Sequence, residues 1–111
     1  MRDWIQDACI AVTVCDAKGV IIEMNAKAAK TFKKRGGADL IGKNLLDCHP
    51  GPAKTKLKKL LKKPRANAYT IEKNGVKKLI YQLPWHKSGK FAGIVELSLE
   101  LPEKMPHFVR K

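Results

Sequence analysis

The segment from Asp16 to Asn25 leaves the chain few options. Asp16-Ala17-Lys18-Gly19 is followed at once by Val20-Ile21-Ile22-Glu23-Met24, and Ile10-Ala11-Val12-Thr13-Val14-Cys15 precedes it. Both flanks are rich in β-branched residues and read as strands. The acid and the glycine at the ends of the turn let the chain reverse tightly, since glycine accepts positive φ without penalty. Asn25 is then a good N-cap for the alanine- and lysine-rich residues 26–32. The expectation is strand, tight turn, strand, cap, helix.

The remainder extends this pattern. Residues 3–8 read as a short helix with Asp3 as its cap, and Trp4 and Ile5 are its large apolar residues. The helix from Asn25 runs to about Lys34 and stops at Gly36-Gly37. Asp39-Leu40-Ile41-Gly42 and Asn44 to His49 read as short helical turns, closed by Pro50-Gly51-Pro52. A helix follows over 53–63, with Leu57, Leu60 and Leu61 on one stripe and Pro64 after its end.

From Tyr69 onward the apolar period changes from 3.6 to 2. Asn74-Gly75 marks one hairpin, and His86 to Lys90 a second turn. Tyr69 and Ile71, then Leu79, Tyr81, Leu83 and Trp85, then Val95, Leu97 and Leu99 alternate with their neighbours. This predicts a three-stranded antiparallel meander with those residues on the inner face, and with Ile80 and Ile94 facing outward. Residues 102–111 show no period and read as a tail.

At 111 residues the chain is one domain, and an apolar share of 44% supports a packed core. No apolar run approaches the ~18 residues of a membrane span, and no signal peptide precedes the fold, so a cytoplasmic protein is expected. Cys9, Cys15 and Cys48 match no zinc spacing and read as reduced thiols. The net charge of +13 favours an anionic partner or simply keeps the chain in solution. Lysine supplies most of it; arginine occurs only at 2, 35, 65 and 110, which argues against base-specific readout. No Ser-His-Asp arrangement, phosphate loop or paired carboxylates emerge, so no enzyme is expected.

The order of two strands, several short helices and three strands resembles that of PAS domains. Asp16, Gly19, Asn25, Gly42 and Asn44, and the closing Ser88-Gly89-Lys90-Phe91-Ala92-Gly93, sit where that family tends to place such residues. The resemblance covers roughly residues 3–101. It implies an α+β fold: a five-stranded antiparallel sheet with short helices packed on one face. The expected organisation is a helical cap at 1–8, the PAS-like domain at 9–101 and the tail at 102–111.

The resemblance also implies a sensory or signalling module that binds a small ligand or a protein and signals in trans, as a homodimer or through a separate signalling protein. The implied pocket lies between Leu57, Leu60 and Leu61 and the inner sheet face. Its lining is expected from Tyr69, Ile71, Leu79, Tyr81 and Leu83, with Val95 and Leu97. The same residues also serve as ordinary core, and the cavity is left open between haem, a small organic ligand and nothing. Cys48-His49 falls where haem-binding members offer an axial histidine; the plainer reading is a buried thiol and a histidine bonded to backbone. The helix 53–63, with six lysines in eleven residues, is either an anion-binding surface, for nucleic acid in particular, or a solvated face.

Overall fold

Asp16 organises the first turn. Its Oδ1 accepts from the backbone N–H of Lys18 (2.9 Å) and of Val20 (3.0 Å), and Gly19 completes the reversal at φ +89°. The turn joins β1 (Ala11–Asp16) to β2 (Ile21–Met24) in the computed structural model, which describes residues 1–111. Before them stands a single turn of helix, α1 (Asp3–Gln6). Its N-cap is Arg2, which makes no side-chain cap bond, so Asp3 lies within the first turn instead of capping it.

Asn25 is fully buried and uses both ends of its amide. Its Oδ1 accepts from Ala28 N (3.0 Å) and Val12 N (2.9 Å); its Nδ2 donates to the carbonyls of Ile5 (2.8 Å) and Ile10 (2.7 Å). It caps α2 (Ala26–Thr31) and ties that helix to α1 and β1. The helix is shorter than expected: it gives way to a 3-10 turn at Lys33–Arg35, and Gly37 N closes the end on the Phe32 carbonyl. Further 3-10 turns follow at Gly37–Leu40 and Leu45–Cys48. Asn44 caps the latter through Leu46 N (2.9 Å) and reaches back to the Lys18 carbonyl (3.1 Å).

The longest helix, α3 (Gly51–Lys62), buries Leu57 and Leu60 at 1% exposure each. Each contributes about 1.5–3 kcal/mol by leaving water. They meet Cys15, Ile21, Leu45 and Ile94 in the main core, with Leu61 packed at its edge. The lysines of the helix point away from this seam.

Three strands complete the chain: β3 (Asn67–Lys73), β4 (Val76–Lys87) and β5 (Lys90–Glu100). The hairpins turn at Asn74-Gly75 and Ser88-Gly89, all four with φ between 52° and 78°. All pairings are antiparallel, in the order β2-β1-β5-β4-β3, so β5 is central. Gly93 makes this closure tight. At φ +152°, a Cβ there would collide with the Cys15 carbonyl oxygen. The same carbonyl accepts from the Trp85 indole (3.0 Å). Residues 102–111 continue without helix or strand. No helix is long and apolar enough to cross a membrane.

The register corrects one expectation. Cross-strand partners share a face, and the rows Thr13–Glu96–Gln82–Asn67 and Ala11–Ser98–Ile80–Tyr69 face the helices. Ile80 and Ile94 are therefore inner, at 7% and 2% exposure. Leu79, Tyr81, Leu83, Val95 and Leu97 alternate with these rows and lie half-buried on the opposite face. Both parities of β4 and β5 are apolar enough to pass for core. The more polar parity, holding Gln82, Glu96 and Ser98, is the one turned inward.

Candidate functional site

The inward polar rows form the floor of a cavity of about 190 Å³. Ala11 and Thr13 of β1, Glu96 and Ser98 of β5, and Lys78 and Ile80 of β4 make the floor, with Tyr69 and Ile71 of β3 at one side. Thr31 and Phe32 at the end of α2, and Cys48 and His49 just before α3, make the roof. The turn carrying Cys48 is held by Arg35, whose guanidinium donates to the Cys48 carbonyl (2.7 Å).

A chain of polar side chains crosses the floor. Asn67 Nδ2 donates to Gln82 Oε1 (2.8 Å), and Gln82 Nε2 donates to Glu96 Oε1 (2.7 Å). The same Glu96 oxygen meets His49 Nε2 at 3.4 Å, while His49 Nδ1 lies 2.9 Å from the Leu45 carbonyl. Both imidazole nitrogens thus face acceptors, the arrangement that suits the imidazolium. Burial pulls the His49 pKa down, but the hydrogen bond and charge of Glu96, with the Leu45 carbonyl, outweigh it and hold the pKa above its ordinary value. Burial, with Glu96 adding its charge, raises the Tyr69 phenol.

The other oxygens on the floor are differently placed. Glu96 is 8% exposed and Thr13 2%. Glu96 Oε2, Thr13 Oγ1 and Ser98 Oγ make no hydrogen bond to protein and stay accessible to solvent. These accessible oxygens are free to bond water or a small molecule in the cavity.

The structure divides the residues expected to line a pocket. Tyr69 and Ile71 do line it. Leu57 and Leu60 fill the core, and Leu61 packs at the core's edge near Gly19. Leu79, Tyr81, Leu83, Val95 and Leu97 lie on the other side of the sheet. The alternation rule missed Thr13, Glu96, Ser98 and Gln82, since it assigns polar parity to solvent; their only signal was position, three of the four on β4 and β5, the two long strands of the meander.

Cys48 and His49 do reach the cavity. Both His49 nitrogens are engaged, and burial raises the Cys48 thiol above its ordinary pKa, away from the thiolate. The cavity lies below the ~300 Å³ at which pockets for drug-sized ligands begin. No group of three or more His, Cys, Asp or Glu is placed to hold a metal ion. On α3, no lysine forms an ion pair, and Lys59, Lys62 and Lys63 share a surface recess with Arg65.

No protein-family profile matches the sequence, and no curated protein is similar to it. Solved structures are similar in fold. The PAS domain of BvgS from Bordetella pertussis superposes with a TM-score of 0.70 at 22% identity, over 94% of this chain and 85% of that one. A sensory box sensor histidine kinase from Vibrio cholerae gives 0.62 at 18%, over 89% and 86%. The Aer2 receptor from Vibrio cholerae, a dual PAS-haem oxygen sensor, gives 0.59 at 16%, over 84% and 95%. The chain folds as a PAS-like domain.

Proposed function

We propose that this PAS-like domain is a sensory module that takes a small organic ligand in the cavity under His49 and reports occupancy to a protein docked on the outer sheet face. The observation that carries the reading is the cavity itself: about 190 Å³, half-open between helix ends and sheet, with three accessible side-chain oxygens outside the protein's own hydrogen-bond network. The sensor proteins among the structures of similar fold support the sensory part.

The signal has a short route. Glu96 faces the cavity, while Val95 and Leu97 beside it face outward on the same central strand. A ligand that bonds Glu96 biases the contact with His49, which joins β5 to the turn before α3. Occupied and empty states then differ in the seating of β5, and a partner that binds one seating better reads the difference. The outer apolar patch of Leu79, Tyr81, Leu83, Val95 and Leu97 fits a protein surface, in the first instance a second copy of the chain.

The test is a native mass spectrum of protein purified without additives, followed by a metabolite screen read by amide NMR. A bound mass, or shifts clustered at Ile80, Glu96 and Ser98, is expected. Ser98→Leu, which fills the cavity, should abolish them with the fold intact. Shifts that survive Ser98→Leu, or no ligand from a broad screen, would remove this reading.

A further inference from the structure

We infer that the ligand class of this cavity is a small organic ammonium ion with an apolar body; this rests on the cavity being a ligand site. The floor presents acceptors. Thr13 and Glu96 are direct cross-strand partners, which places their Cβ atoms about 5 Å apart. Ser98 is two residues along the same face of β5, about 7 Å from Glu96. Glu96 Oε2 and the two hydroxyls are the open oxygens, and an ammonium group carries three N–H donors on one centre.

The donors of the roof and side are the Tyr69 phenol and the Cys48 thiol, and the His49 imidazole is already paired with Glu96 Oε1. Both His49 nitrogens face acceptors already, and the Thr31 hydroxyl donates to the Lys27 carbonyl (2.9 Å). Lys78 is the one cation on the floor, and it lies two rungs from Glu96, about 13 Å along the strand. Its backbone position is thus well apart from that of Glu96. Glu96 uses Oε1 for Gln82 and His49, so the second oxygen accepts a ligand without breaking either bond. Phe32, Ile80, Tyr69 and Ile71 supply the surface for a hydrocarbon or aromatic body, and the volume limits that body to metabolite size.

The experiment compares phenylethylammonium, phenylethanol and phenylacetate, which share one apolar body and differ in the head group. Titrations of the full chain are read by amide NMR and calorimetry. Phenylethylammonium should bind about ten- to hundred-fold more tightly than phenylethanol, the range of a charge-assisted hydrogen bond. Phenylacetate should not bind. Glu96→Gln keeps the shape and should erase the preference for ammonium. Thr13→Val leaves the His49 contact alone and should weaken ammonium binding without reversing the order.

Equal binding of ammonium and alcohol, a preference that survives Glu96→Gln, or tighter binding of phenylacetate overturns the ligand class while the cavity remains a ligand site. Silence toward all three probes also overturns the class. The site itself stands or falls separately, on the native mass spectrum and the Ser98→Leu screen.

Discussion

His49 Nε2 lies 3.4 Å from Glu96 Oε1, with both side chains only 9% exposed. The pair joins the turn before α3 to the central strand across 47 residues of sequence. Its consequence for stability has a definite sign. The folded-state pKa of His49 is raised, so the stabilisation is fully present below the ordinary imidazole value near 6.5 and is lost as pH rises through the folded value. Denaturant midpoints should fall across that window, and Glu96→Gln should flatten the change. The His49 ring signals should titrate above 6.5; a midpoint at or below it would remove the pair from the account.

Asn25 bonds four backbone groups, one of them the Ala28 N–H that caps α2. Asn25→Ala removes the cap and strands buried N–H and C=O groups, for a loss of roughly 2–4 kcal/mol. Asn25→Asp keeps the acceptor but turns an anion toward the Ile5 and Ile10 carbonyls, so it should be destabilising too. Urea melts of both variants check this. An Asp variant as stable as wild type would show that the two donated bonds carry no weight.

Much of this was legible in the residues. Asp16 and Gly19 act within their own turn, Asn25 is legible through its cap bond to Ala28, and Asn74-Gly75 acts through local dihedrals, so a reading of local chemistry finds them. The sheet's facing was not legible in the same way. Leu79, Tyr81, Leu83, Val95 and Leu97 form the more apolar parity, and burial preference alone turns them inward. The helices instead cover Gln82, Glu96 and Ser98, so pattern and fold conflict along these rows. His49 and Glu96 are far apart in sequence, and nothing local to either announces the other.

Gly93 and Gly51 make a matched pair. At Gly93, with φ at +152°, a Cβ would collide with the Cys15 carbonyl oxygen, whereas nothing lies within 4 Å of a Cβ at Gly51. Gly93→Ala should separate β5 from β1 and prevent folding or lower the melting temperature severely. Gly51→Ala, at the start of α3, should be neutral or gain about 0.4–1 kcal/mol from a less flexible unfolded chain. Circular dichroism melts suffice, and equal behaviour of the two would contradict the tight closure at Cys15.

The cysteines give a test of burial. Cys9 is exposed, while Cys15 and Cys48 are buried with thiol pKa values raised, chiefly by desolvation. A thiol reagent at neutral pH should modify one site rapidly in native protein, Cys9 by peptide mapping, and the other two only on unfolding. Ligand in the cavity should slow Cys48 further, since Cys48 lines the roof. Fast modification of Cys48 in the native state would mean that the roof opens freely.

The outer face makes the last prediction. Leu97 and Tyr81 are cross-strand partners on the side away from the helices, and both are half-buried. A lysine at either place can extend into solvent, so Leu97→Lys with Tyr81→Lys should leave the cavity and the main core intact. Leu57→Ala, within the core, should instead lose about 2–5 kcal/mol. If the outer face pairs two copies, sedimentation should show the wild type as a concentration-dependent dimer and the double variant as a monomer that still binds ligand. A dimer that survives both lysines would move the docking surface away from the sheet, and the route from Glu96 through Val95 and Leu97 would lose its reader.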